Sequence, residues 1–202
     1  MAKKNNQIIV VLLATISVVL AALIGVIALK GDGHMKHNGH DMNSHMSGKA
    51  NSSPLSLTGA DIMFLQMMIP HHQQAVDISN LALKSSTNAE LLALAKTIIT
   101  GQSAEINQMK MWLNQAGASE DMGHAMHDMG GMLDAAELSA LDKASGKDFD
   151  NLWLKGMIGH HDGAIHMTQM IEDASNSEIK TFGEAIVRDQ TAQIIQMKKM
   201  LA

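Results

Sequence analysis

The sequence predicts an all-α fold: an antiparallel four-helix bundle made of two copies of one helical hairpin, behind an N-terminal transmembrane or signal segment. Three observations predict it. Apolar residues after position 57 recur at helical spacing, with no β-branched alternation and no hairpin-turn signal. One pattern occurs twice: Asp61, Phe64, Leu65, Met68, Ile69, His71, His72, Ala75 and Val76 match Asp150, Trp153, Leu154, Met157, Ile158, His160, His161, Ala164 and Ile165 at one constant offset. After a single deleted residue, Gln102, Ile106, Met109 and Leu113 match Gln190, Ile194, Met197 and Leu201. Finally, an uncharged apolar run from Ile8 to Leu29 is long enough to cross a bilayer. Two amphipathic hairpins bury their apolar faces against each other, and the product is a four-helix bundle.

The elements follow in order. Lys3 and Lys4 precede the apolar run and favour an N-in orientation, which sends the rest of the chain outside the cytoplasm. Residues 1–30 are therefore a signal anchor or, if cut near Val26-Ile27-Ala28, a cleaved signal peptide; both deliver the same domain to the same side. Residues 31–56 are Gly-, Ser- and Asn-rich without period and read as a flexible linker. The bundle spans 57–202: repeat one over 57–117, a connector over 118–133 and repeat two over 134–202. Thr58-Gly59-Ala60-Asp61 marks the start of a first helix that reaches about Lys84. Thr87-Asn88-Ala89-Glu90 reads as a capping box opening a second, which runs to about Gln115 and stops at Gly117. A short helix is expected from Asp134 to Lys143, a third long one from about Ser145 to Ala174, and a fourth from about Ser177 to the end.

Composition narrows the function. Of 202 residues, 17% are charged and the net charge is −5 without a basic block, so nucleic acid has no electrostatic footprint to bind. Aromatics are 2%, too few for base stacking. With no Cys, disulfides, thiolate zinc, iron–sulfur clusters and cysteine nucleophiles are excluded. The remaining soft donor is the Met thioether, present 18 times, beside 11 His.

Those residues concentrate in two irregular tracts and in the repeated motif. The first tract carries His34, Met35, His37, His40, Met42, His45 and Met46; the second carries Met122, His124, Met126, His127 and Met129. Neither tract has a core for its Met side chains to join, and mixed His and Met on a pliant backbone suit copper: thioether favours the cuprous ion, imidazole takes both oxidation states. In the helices, Met68, His71 and His72, with Met157, His160 and His161, are further candidate ligands. Helical geometry places Phe64, Met68, His71, Ala75, Ile78 and Ala82 on one stripe, with His72 on its shoulder, and Gln102 and Glu105 on the inner stripe of the second helix. Buried polar groups must be paired, so a His–Glu or His–Gln contact between paired helices is expected, whether it serves a metal or only helix register. Met63, Met67, Met167, Met170, Met197 and Met200 read as core filler. His166 falls on the outer face, with Met170 one turn on.

Met-Ile-Pro-His-His-Gln-Gln-Ala (68–75) and Gln-Ser-Ala-Glu-Ile (102–106), with Phe149-Asp150, Met157-Ile158-Gly159-His160-His161 and Ala164-Ile165, resemble the family named domain of unknown function 305, over about Leu57 to Leu201. The resemblance implies a ferritin-like bundle and kinship with CopM-like periplasmic copper-binding proteins. Gly159 stands where the first copy has Pro70, and Gln193 where it has Glu105. The expected function is extracytoplasmic copper capture, buffering or delivery in copper homeostasis or tolerance. The ligand is the copper ion, cuprous favoured and silver its mimic; the partner class is a copper exporter or another copper protein, with the membrane contacted through the N-terminal segment. A ferritin-like metal-dependent oxidase is the enzymatic alternative, weakened because no Glu-x-x-His occurs. A structural or signalling bundle without metal is the third reading.

Overall fold

The computed structural model describes residues 56–121 and 129–202. The N-terminal segment, the first His/Met tract and Met122, His124, Met126 and His127 of the second lie outside the described residues. Among the described residues there is no strand, and no helix long and apolar enough to cross a membrane.

The helices are α1 (Gly59–Ser85), α2 (Ala89–Gln115), α3 (Ala135–Lys143), α4 (Gly146–Met167) and α5 (Ser177–Leu201). Thr58 and Asp61 close a reciprocal capping box on α1, as Asp134 and Glu137 do on α3, so the orphan first-turn amides have acceptors. At α2 the expected box at Thr87 is not formed. Asn88 is the N-cap, and its side chain accepts from the Glu90 and Leu91 amides. Asn is the stronger cap, which shifts the start by one residue; Asn176 does the same for α5. Gly117, at φ +68, ends the first hairpin in the left-handed conformation that glycine takes at low cost.

The third long helix stops before Ala174. It ends at Met167 and tightens into a 3₁₀ turn over Thr168–Ile171. The Thr168 hydroxyl donates to the Ile165 carbonyl at 2.7 Å, a local bond that competes with the regular ladder where α4 ends.

α1 packs on α2 and on α4, and α4 packs on α5. The interior holds two apolar clusters. One gathers Ala75, Ile78 and Ala82 with Leu91, Ile98, Phe149, Trp153, Met157, Ile194 and Met197. The other gathers Phe64, Leu65 and Met68 with Ile106, Met109, Trp112, Ala164, Met167, Ile171, Ile179 and Ile186. Each cluster takes early residues from one helix of a pair and late residues from the other, so α1 is antiparallel to α2 and to α4, and α4 to α5. Trp153 Nε1 donates to the Ile78 carbonyl at 3.1 Å in the first cluster; Trp112 meets Phe182 edge-on at 5.1 Å in the second. The methionines divide: Met167 and Met197 are core as expected and Met67, Met170 and Met200 are half-buried, but Met63 is 44% exposed and fills no core.

The end of the connector lies in the groove between α1 and α4. Gln74 on α1 clasps Leu133 in both directions, accepting from its amide at 2.8 Å and donating to its carbonyl at 3.0 Å. On α4, a Cβ at Gly163 would stand 2.0 Å from the Gly130 carbonyl oxygen, and one at Gly131 would stand 2.5 Å from that of Gly159. Only glycines allow this approach. Met129 departs from the expectation that tract methionines have no core to join: it is 8% exposed.

Candidate metal centre

Between the two apolar clusters runs a polar layer. His71 and His72 follow Met68 and precede Ala75 on α1; His160 and His161 lie between Met157 and Ala164 on α4; Gln102 and Gln190 come from α2 and α5 at the same level. All four histidines are fully buried, although adjacent residues on a helix diverge by about 100°. That divergence sorts them. His71 and His160 face each other across the α1–α4 contact, ring centroids 3.8 Å apart and planes tilted by 39°. His72 turns to α2, where its Nε2 donates to Glu105 Oε2 at 2.8 Å. His161 turns to α5, where its Nε2 donates to Gln193 Oε1 at 2.6 Å. The expected His–Glu and His–Gln pairing between the helices of each hairpin is therefore observed, once per repeat.

The central pair is underpartnered. His71 Nε2 lies 3.3 Å from the Gly130 carbonyl of the connector. A carbonyl only accepts, so the proton sits on Nε2 and the lone pair on Nδ1, which has no hydrogen-bonding partner. Neither ring nitrogen of His160 makes a well-formed one, although the His71 backbone lies near enough to favour its protonated form slightly, and the amide atoms of Gln102 and Gln190 have none. Unpaired buried polar atoms cost about 1–3 kcal/mol each, so this layer is expensive to maintain.

Burial also sets the charge state. It pushes His71 down to about 3, with the neighbouring His72 adding to the effect and the Gly130 carbonyl opposing it. It pushes His161 down to about 4 against the opposing bond to Gln193. His160 is lowered well below its ordinary value, by burial first and then by His71. These rings are neutral at pH 7, the form in which imidazole binds metal.

Among the described residues, the two methionine candidates of the long helices do not converge on this pair. Met68 and Met157, each one turn from its His pair, are fully buried in opposite clusters. Among the described residues no three His, Asp or Glu side chains form a group able to hold a metal ion, so a closed tetrahedral zinc site is not built here. A cavity of about 420 Å³ between the connector, α3 and α4 is lined by Met132 but no His, which separates it from the polar layer. Sequence reasoning overlooked the connector clasp. Its traces were the Gly130-Gly131 dipeptide and the spacing of Gly156, Gly159 and Gly163 along one side of α4.

Comparison with known proteins fixes the family. The family described as Domain of unknown function (DUF305) matches residues 61–201, which takes in nearly all of both repeats. This chain belongs to the DUF305 family. A DUF305 protein of Streptomyces coelicolor shares its fold at a TM-score of 0.67 with 27% identity, over 70% of this chain and 91% of that one. A DUF305 fragment from Deinococcus radiodurans gives 0.67 and 29%, over 71% and 96%. CopM in its Cu(I)-bound form gives 0.60 and 34%, over 72% and 96%; CopM is also known in Cu(II)-bound and Ag-bound forms. No curated protein matches. The DUF305 resemblance read from the repeated His-His motif is thus confirmed over both hairpins.

Proposed function

We propose that this DUF305 protein captures copper outside the cytoplasm and holds it for buffering or delivery, as a binding protein and not an enzyme. The observation that carries the reading is the 34% identity, over 72% of the chain, to CopM in its Cu(I)-bound form. The composition supports it: many Met and His and no Cys suit a soft ion in an oxidising compartment. The polar layer supports it too. The His71 and His160 rings are neutral and adjacent, and neither His71 Nδ1 nor the His160 nitrogens make a well-formed hydrogen bond, which suits a pair of imidazole donors for cuprous ion; the rings would have to turn apart to admit it. The tracts 33–47 and 121–132 supply the remaining donors in this proposal, and the run Ile8–Leu29 directs the domain across the membrane as anchor or signal.

A metal-free structural layer is the competing reading, and one observation favours it: His72 and His161 already have partners, and Met68 and Met157 are packed as core. Titration of the full chain in detergent with cuprous, cupric, silver and zinc ions decides between them. Copper binding requires cuprous and silver to bind more tightly than zinc. Met→Leu replacements in the tracts should weaken cuprous and silver binding, and tract His replacements should chiefly weaken cupric binding. His71→Phe with His160→Phe should remove a cuprous site while the helical signal remains. A chain that binds no cuprous or silver ion would leave only the structural reading.

A further inference from the structure

Residues 130–133 of the connector lie in the groove between α1 and α4. The connector lies against His71 and Gln74 on α1 and against Gly156, Gly159 and Gly163 on α4. The His71–His160 contact fixes the antiparallel register, so a step back along α1 is a step forward along α4. Stepping back from Gln74 by two and three turns reaches Met67 and Met63, on the same side of α1. Stepping forward from Gly159 by two turns reaches His166, on the Gly159 side of α4 where the groove meets the outer face, and the 3₁₀ turn that follows, which carries Met170, packs against α1. On the α1 and α4 sides, this stretch of the groove is therefore bordered by three thioethers and one imidazole.

Burial agrees with this placement. Met67 and Met170 are half-buried and pack against the same apolar cluster, while Met63 is 44% exposed and His166 is exposed. A groove edge that only needed covering would be filled as well by Leu or Ile. Met63 is too exposed to act as filler, and an exposed thioether in an oxidising compartment is an oxidation liability. Three thioethers with one imidazole, and no carboxylate among the four, match a soft monovalent cation and offer little to zinc, calcium or magnesium.

We propose that Met63, Met67, His166 and Met170 form a second station for cuprous ion along the α1–α4 groove, about two turns from the buried His71–His160 pair, with Met63 and His166 exposed. The station rests on the copper-binding reading and adds to it a place where the ion is accessible to solvent and to a partner. The exposed Met63 thioether on α1 and the exposed His166 imidazole on α4 can exchange ligands readily, which suits uptake and hand-over; the buried imidazoles suit retention.

Silver titration of the full chain in detergent, with methyl-¹³C-labelled Met, tests this. The expected result is movement of the Met63, Met67 and Met170 methyl signals and the His166 ring signals. The triple variant Met63→Leu, Met67→Leu, Met170→Leu should bind one silver ion fewer at unchanged helical content. Met63→Leu with His166→Ala changes two exposed residues, so it should keep the fold and still weaken this station. If silver binds the parent but these signals stay fixed, or the variants keep the parent's stoichiometry, the station is overturned while the copper reading stands. If the parent binds neither silver nor cuprous ion, both fall together.

Discussion

His72 and His161 occupy equivalent places in the two repeats and are buried alike, but one donates to a carboxylate and the other to an amide oxygen. That difference makes the two copies an internal control. Glu105→Gln gives the first copy the acceptor of the second, and the Nε2 donor keeps an oxygen at the same place. Its cost in urea unfolding should stay below about 1 kcal/mol. Glu105→Leu leaves that donor facing an apolar group inside the bundle, and about 1–3 kcal/mol should be lost. Equal costs for the two variants would show that the Glu105 contact does not hold His72 in place.

At the scale of elements, the connector is held by contacts that depend on the absence of side chains. Gly163→Ala puts a methyl group 2.0 Å from the Gly130 carbonyl oxygen, against backbone that must move. The connector should lift from α4 and the protein should lose about 1–3 kcal/mol, the usual range for overpacking. The His71 bond to Gly130 should weaken with it, a change visible in the His71 ring shifts. Gly101 is the contrast: it lies inside α2 with nothing within 4 Å of an added Cβ. Gly101→Ala should therefore stabilise by about 0.5–1 kcal/mol through helix propensity alone. Thermal unfolding of the two variants checks both, and a neutral Gly163→Ala would refute the close approach.

For the whole molecule, the buried histidines link stability to pH. Folded His71 and His161 titrate at about 3 and about 4, His160 lies well below its ordinary value, and the unfolded groups return to 6.5. Below pH 6.5 the unfolded chain therefore binds more protons than the native chain, and acid favours unfolding. Stability from these groups is complete above pH 6.5 and is lost progressively as the pH falls toward 4. Between pH 7 and pH 5 the loss is at most about 2 kcal/mol for each such group. The urea midpoint of the metal-free protein should fall steadily across that interval. A midpoint that stays level would mean that the layer takes up protons without opening.

The sequence by itself determined the helices, their order, the repeat and the inward placement of both His-His pairs. Helical periodicity and capping are local: Thr58 with Asp61 and Asp134 with Glu137 lie within one turn of each other, and a stripe of apolar residues shows which face turns inward. It also carried the family, through the doubled motif. The tertiary structure alone decided that His71 meets His160 while His72 and His161 turn away to separate partners. It alone showed that Gly130 and Gly131 rest on Gly159 and Gly163, and that Met129 is buried. Each of these joins residues far apart in the chain, and their meeting depends on the register of one helix against another. That register is set by how two apolar clusters close around a polar layer, a property of the packed bundle and of no single segment.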